Sequence, residues 1–139
     1  CTPNIPEAEV LASMTITTAS DVAQAAQRLM ALGAKNIVMK GGHLSGVDAV
    51  DTVFLEDGSV FTMTTPRIDT KATHGTGCTF SAAITAGLAN GQELKEAIIE
   101  AKRFIQAAIV HPLGIGHGHG PTNHFAYNRY DCEVFVDEA

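Results

Sequence analysis

Seven consecutive residues, Thr73-His74-Gly75-Thr76-Gly77-Cys78-Thr79, hold the densest chemical potential in the chain. Glycines stand directly before a segment in which Phe80, Ile84, Gly87 and Leu88 fall at helical spacing, so a helix is predicted from Gly77 onward. Small residues let successive backbone N–H groups converge, and a helix start adds about half a positive charge. Together they suit an anion such as phosphate. No Gly-Lys-Ser/Thr follows, so this is not a Walker A loop and a P-loop NTPase is disfavoured. On these residues alone, a plain glycine turn into a helix is the alternative. Cys78 sits where the helix field should hold its thiol below the ordinary value of about 8.5, which makes it a candidate proton acceptor. A small thiol buried between helix and sheet is the competing account.

Three further groups carry reactive side chains. Asn4-Ile5-Pro6-Glu7 reads by itself as a helix cap followed by a first-turn acid. Lys40 ends the apolar run Ile37-Val38-Met39 and precedes Gly41-Gly42, the place of a charge at the C-terminal edge of a strand. His117, His119 and His124 suggest a metal, but His-Gly-His on a glycine loop lacks the rigid element that ligands sit on, and a metal site there is disfavoured.

These residues need elements to position them. A short helix is predicted after Pro3, with Pro6 in its first turn and Val10 and Leu11 on one face. Thr18 with Asp21 makes a capping-box start for a second helix, in which Val22, Ala26, Leu29 and Met30 recur until Gly33. Residues 36–40 read as a strand buried on both faces. Residues 51–56 and 59–64 read as a hairpin joined at Asp57-Gly58. Beyond the glycine segment, Asn90-Gly91 separates two helices, the second carrying Leu94, Ala97, Ile98, Ala101, Ile105 and Ala108 up to Pro112. Residues 114–120 are glycine-rich and irregular. The pattern predicts an α/β layer fold whose sheet needs further strands upstream.

Bulk composition narrows the partners. With 139 residues, 45% apolar and 17% charged, the chain has room for one domain or part of one. Fifteen acidic against nine basic side chains give a net charge of −6 without a basic run, which argues against nucleic acid. Charges interrupt every apolar stretch before the roughly 18 to 20 residues of a membrane span, so a soluble chain is expected. Cys1, Cys78 and Cys132 form no CxxC pair and no zinc spacing, which fits a reducing cytoplasm. Cys1-Thr2-Pro3-Asn4 reads like the end of a buried strand entering a turn, so the chain is expected to start inside a domain.

Four ordered segments carry a resemblance. Thr2-Pro3-Asn4-Ile5-Pro6-Glu7-Ala8-Glu9, Met39-Lys40-Gly41-Gly42-His43, the glycine segment 73–79 and Gly116-His117-Gly118-His119-Gly120-Pro121-Thr122-Asn123-His124-Phe125 together resemble the signatures of phosphomethylpyrimidine kinases. The likeness runs from residue 2 to about residue 128. It implies a ribokinase-like three-layer α/β/α sandwich, with residues 1–139 as the C-terminal, ATP-binding part of a single kinase domain and the N-terminal half absent. It also implies ATP-dependent phosphorylation of hydroxymethylpyrimidine and then of its monophosphate in thiamine biosynthesis.

The resemblance assigns roles by position. Asn4 and Glu7 help hold Mg²⁺ near the triphosphate. Lys40 reaches the nucleotide phosphates, with Gly42, His43, Thr73 and His74 also at the nucleotide. Gly75, Thr76, Gly77 and Cys78 form the anion hole, with Cys78 as base where sugar kinases of this fold carry aspartate. The histidine loop lies near the nucleotide. The acceptor pocket falls in the absent half, which leaves pyrimidine against pyridoxine open, and the tail Ala126-Tyr127-Asn128-Arg129-Tyr130 through Val136 also resembles some bacterial pyridoxine kinases. The 139 residues alone are expected to be inactive, and to pair with a complementing N-terminal half or with a second copy.

Overall fold

A computed structural model describes residues 1–41, 48–70, 75–130 and 132–139. The chain divides into two compact units, Cys1–Arg67 with Phe135–Ala139, and Ile68–Val134.

The first unit opens on Cys1 to Asn4, which leads directly into α1 (Ile5–Ala12) and then α2 (Ala19–Ala31). Asn4 caps α1 as half of a capping box with Glu7, and Thr18 with Asp21 does the same for α2, as its sequence predicts. The α1 core face is Ala8 and Ala12, one turn apart. Val10 and Leu11, predicted to share an apolar face, are 79% and 51% exposed. Val22, Ala25, Ala26 and Leu29 of α2 join Ala8, Ala12, Ile16, Ile37 and Met39 in one core cluster.

The sheet of this unit runs β1 (Ile37–Met39), β2 (Asp48–Phe54), β3 (Val60–Pro66) and β4 (Phe135–Glu138), each antiparallel to the next. All three β1 residues are buried, as a strand covered on both faces requires. Five residues, Leu55 to Ser59, join β2 to β3, and inside the Leu55–Ser59 pair the turn holds Glu56, Asp57 and Gly58, where Asp57-Gly58 predicts two. Leu55 donates to and accepts from the far side of the turn, and Gly58 at φ +85° forms the left-handed step of a bulged hairpin. On the outer side of β1, the N–H of Val38 bonds the carbonyl of Cys1 and that of Lys40 bonds Pro3, both at 2.8 Å. Residues 1–4 thus lie parallel to β1.

The second unit is a helix pair with a folded tail. Helix α3 (Thr76–Ala89) turns through Asn90 and Gly91 into α4 (Leu94–Val110). A Cβ on Gly87 would run into Gln92 Oε1 and the Cβ of Ala97, so glycine permits the close approach. Phe80, Ile84, Ala97, Ile98, Ala101, Ile105 and Ala108 are buried, as their spacing predicts. Leu88 is not, at 45% exposure. After α4 the chain is irregular; Asn123 Nδ2 donates to the His111 carbonyl at 2.9 Å and His111 stacks on Tyr130 at 3.6 Å. Among the described residues no helix is long and apolar enough to cross a membrane.

Candidate active site

Helix α3 begins at Gly75, whose φ of +83° only glycine adopts without strain. No side chain caps the helix, and its first intrahelical bond runs from the Thr79 N–H to the Gly75 carbonyl at 2.9 Å. The amides of Thr76, Gly77 and Cys78 therefore precede the helical ladder, in the arrangement that receives an anion. Cys78, the third residue of α3, is exposed.

A cavity of about 860 Å³ opens beside Cys78 within the second unit, bounded by Thr79, Glu100, Phe104, His124 and Tyr127 among others. Its polar end is tied together: Gln92 Nε2 donates to Glu100 Oε2 at 2.6 Å, and the Tyr127 hydroxyl donates to Glu100 Oε1 at 3.3 Å. His124 Nε2 lies 3.2 Å from the Thr79 hydroxyl, while the exposed His117 and His119 stand apart on the glycine-rich loop.

In the first unit, Asn4, Glu7 and Lys40 converge through the backbone. Asn4 Oδ1 accepts the Glu7 N–H at 2.8 Å and Glu7 Oε2 accepts the Asn4 N–H at 2.9 Å. Asn4 also forms the parallel bridge with Lys40. The capping account of Asn4-x-x-Glu7 therefore describes how these side chains are held. It leaves the second carboxylate oxygen of Glu7 outside the box. Gly42, His43, Thr73 and His74 lie outside the described residues.

One residue escapes the sequence motifs. Asp51 in β2 is buried at 5% exposure, and its Oδ1 accepts the N–H of Gly41 at 2.9 Å. Its signal is present in the alternation of β2, where Asp51 shares the inward phase of Val53, an unusual place for a carboxylate.

The phosphomethylpyrimidine kinase family model matches residues 1–123. The hydroxymethylpyrimidine/phosphomethylpyrimidine kinase of Haemophilus influenzae is 54% identical over 131 residues, covering 92% of this chain and 49% of that protein. Among solved structures, the pyridoxal kinase from Staphylococcus aureus in complex with ADP superposes with a TM-score of 0.90 at 35% identity, over 99% of this chain and 51% of that one. An ADP complex of Bacillus subtilis pyridoxal kinase gives a TM-score of 0.84 at 44% identity, over 93% of this chain and 49% of that one. The chain spans about half the length of the relatives it matches.

Proposed function

The chain belongs to the phosphomethylpyrimidine kinase family, and from that premise we propose that the full-length protein transfers phosphoryl groups from ATP to hydroxymethylpyrimidine and then to its monophosphate, for thiamine biosynthesis. Its α/β fold is ribokinase-like. The observation that carries the substrate is the 54% identity to a pyrimidine kinase, against 35% and 44% for the two pyridoxal kinases.

In this reading the protein supplies little covalent chemistry, and positioning and charge stabilisation dominate. The amides of Gly75, Thr76, Gly77 and Cys78 receive the moving phosphoryl group, and Cys78 takes the acceptor proton. Lys40 neutralises the nucleotide phosphates, with Gly42, His43, Thr73 and His74 assigned beside it from their motifs. Asn4 and Glu7 offer an amide oxygen and a carboxylate, the donor type a hard cation takes, and a Mg²⁺ shared with phosphates and waters needs no more protein ligands. Bound there, Mg²⁺ would neutralise charge on the triphosphate.

Residues 1–139 act as the ATP side of a single kinase domain, and the remaining half of the relatives' length supplies the acceptor pocket. The 139 residues alone are accordingly expected to lack turnover, and to associate with that half or with a second copy. None of the three cysteines forms a disulfide among the described residues, in keeping with a cytoplasmic enzyme.

A pyridoxal kinase is the second reading, favoured by the TM-score of 0.90 to such an enzyme. Measuring kcat/KM of the full-length protein on hydroxymethylpyrimidine, its monophosphate and pyridoxal, with products identified by mass, separates the two. The expected result is both pyrimidine products, the diphosphate included. Preferred turnover of pyridoxal with no diphosphate formed would reverse the assignment.

A further inference from the structure

Lys40 is held by its neighbours on both sides. Its own N–H donates to the Pro3 carbonyl at 2.8 Å, and the N–H of the next residue, Gly41, donates to Asp51 Oδ1 at 2.9 Å. The β1–β2 ladder ends one step earlier, at Met39 opposite Thr52. At the following position a side chain, not a strand carbonyl, takes the amide, and Gly41 turns away at φ +90°.

This arrangement is costly for stability alone. Asp51 faces Met63 across the β2–β3 ladder and lies two residues from Val53, both fully buried. A carboxylate among such neighbours loses hydration that an apolar β-branched residue would never need. Nor does its charge help bind phosphate, since a negative group near the site repels an anion. What it supplies is a fixed acceptor at the exit of the strand that bears Lys40.

We propose that Asp51 is a positioning residue for nucleotide binding: by holding the Gly41 amide it fixes the backbone from which Lys40 reaches the phosphates. The inference rests on the reading of Lys40 as the phosphate-binding lysine. It predicts that the acceptor atom matters and the charge does not. Asp51→Asn keeps an oxygen at the same reach, whereas Asp51→Ala removes it.

The test uses the full-length enzyme, with ADP affinity measured by calorimetry and KM for ATP and for the acceptor measured separately. Asp51→Ala should weaken ADP and raise the KM for ATP about tenfold or more, the scale of one buried amide left without its acceptor. The acceptor KM should change less than about twofold, and Asp51→Asn should restore the ATP KM to within about threefold. In a Lys40→Ala background, Asp51→Ala should add little, because it acts through that lysine. Equal changes in both KM values, or a full effect of Asp51→Ala without Lys40, would overturn the proposal. If Asp51→Ala does not fold, the Asp51→Asn enzyme decides: a tenfold rise in its ATP KM would make the charge the operative feature. Lys40→Ala alone tests the parent reading. Unchanged ADP affinity there overturns both, whereas a loss not shared by Asp51→Ala overturns only the present inference.

Discussion

His124 and Thr79 meet at 3.2 Å, tying the loop after α4 to the first turn of α3, one residue from Cys78. A histidine that suggests metal binding in the sequence is engaged here with a helix. In the full-length protein, His124→Ala and Thr79→Val should each destabilise modestly. Their double-mutant cycle should show a coupling of about 0.5–1 kcal/mol in denaturant unfolding, since the pair is surface-exposed. Strict additivity would mean that the contact contributes nothing.

The start of α3 sets backbone geometry against side-chain basicity. In a loose phosphoryl-transfer transition state the acceptor proton leaves late, so aligned donors matter more than a base. Gly75→Val forces a β-branched residue into a left-handed conformation and should displace the amides that follow. Its kcat should fall by on the order of 10² to 10³, at least as far as that of Cys78→Ala. A dead Cys78→Ala enzyme beside an active Gly75→Val enzyme would instead place the chemistry on the thiol.

Glu7 serves the helix start in the structure and a cation in the proposed function, and two substitutions separate the roles. Gln is as competent as Glu at the third position of a capping box. Glu7→Gln should therefore keep the thermal midpoint of the full-length protein while raising the Mg²⁺ concentration needed for half-maximal rate. Glu7→Ala should do both kinds of damage, losing about 1 kcal/mol of stability as well. An unchanged Mg²⁺ dependence in Glu7→Gln would confine the residue to capping.

Asp21 gives a pH signature. Its carboxylate accepts the Thr17 N–H, and also bonds from Thr18, which hold its pKa below the ordinary 3.8. Because the folded value is the depressed one, the cap's contribution is fully present above 3.8 and is lost as pH falls through the folded value. Carboxyl NMR titration should find a midpoint below 3.8 that rises in Thr18→Ala. A midpoint indifferent to Thr18 would count against the capping box.

Elements with local causes were legible in the sequence. Thr18 and Asp21 announce α2, the Ile37–Met39 run announces a doubly covered strand, and the period through Ala97, Ile98, Ala101 and Ile105 announces α4. Strand β4 was not, because Phe135–Glu138 is short, mostly exposed and defined only by its pairing with β3. Val10 and Leu11 satisfy a helical pattern, yet the face that packs is decided by Ala8 and Ala12, whose small size lets α1 approach its neighbours. Of the site, Gly75 and its helix were readable as residue types in order. The Asp51 tether was not, since the bond joins a β2 residue to one just beyond the end of β1 and only the register brings them together.

The parallel pairing of residues 1–4 with β1 also bears on the order of events in folding. The bonds from Val38 to Cys1 and from Lys40 to Pro3 enclose both α1 and α2. Each helix can form from contacts close in sequence, whereas this pairing must first bring together distant parts of the chain at an entropic cost. The backbone around Lys40 should thus reach its native arrangement late. Hydrogen exchange pulsed during refolding should protect the amides inside α2 before those of Val38 and Lys40, so that a newly made chain gains its helices earlier than the backbone arrangement proposed here to serve phosphate binding.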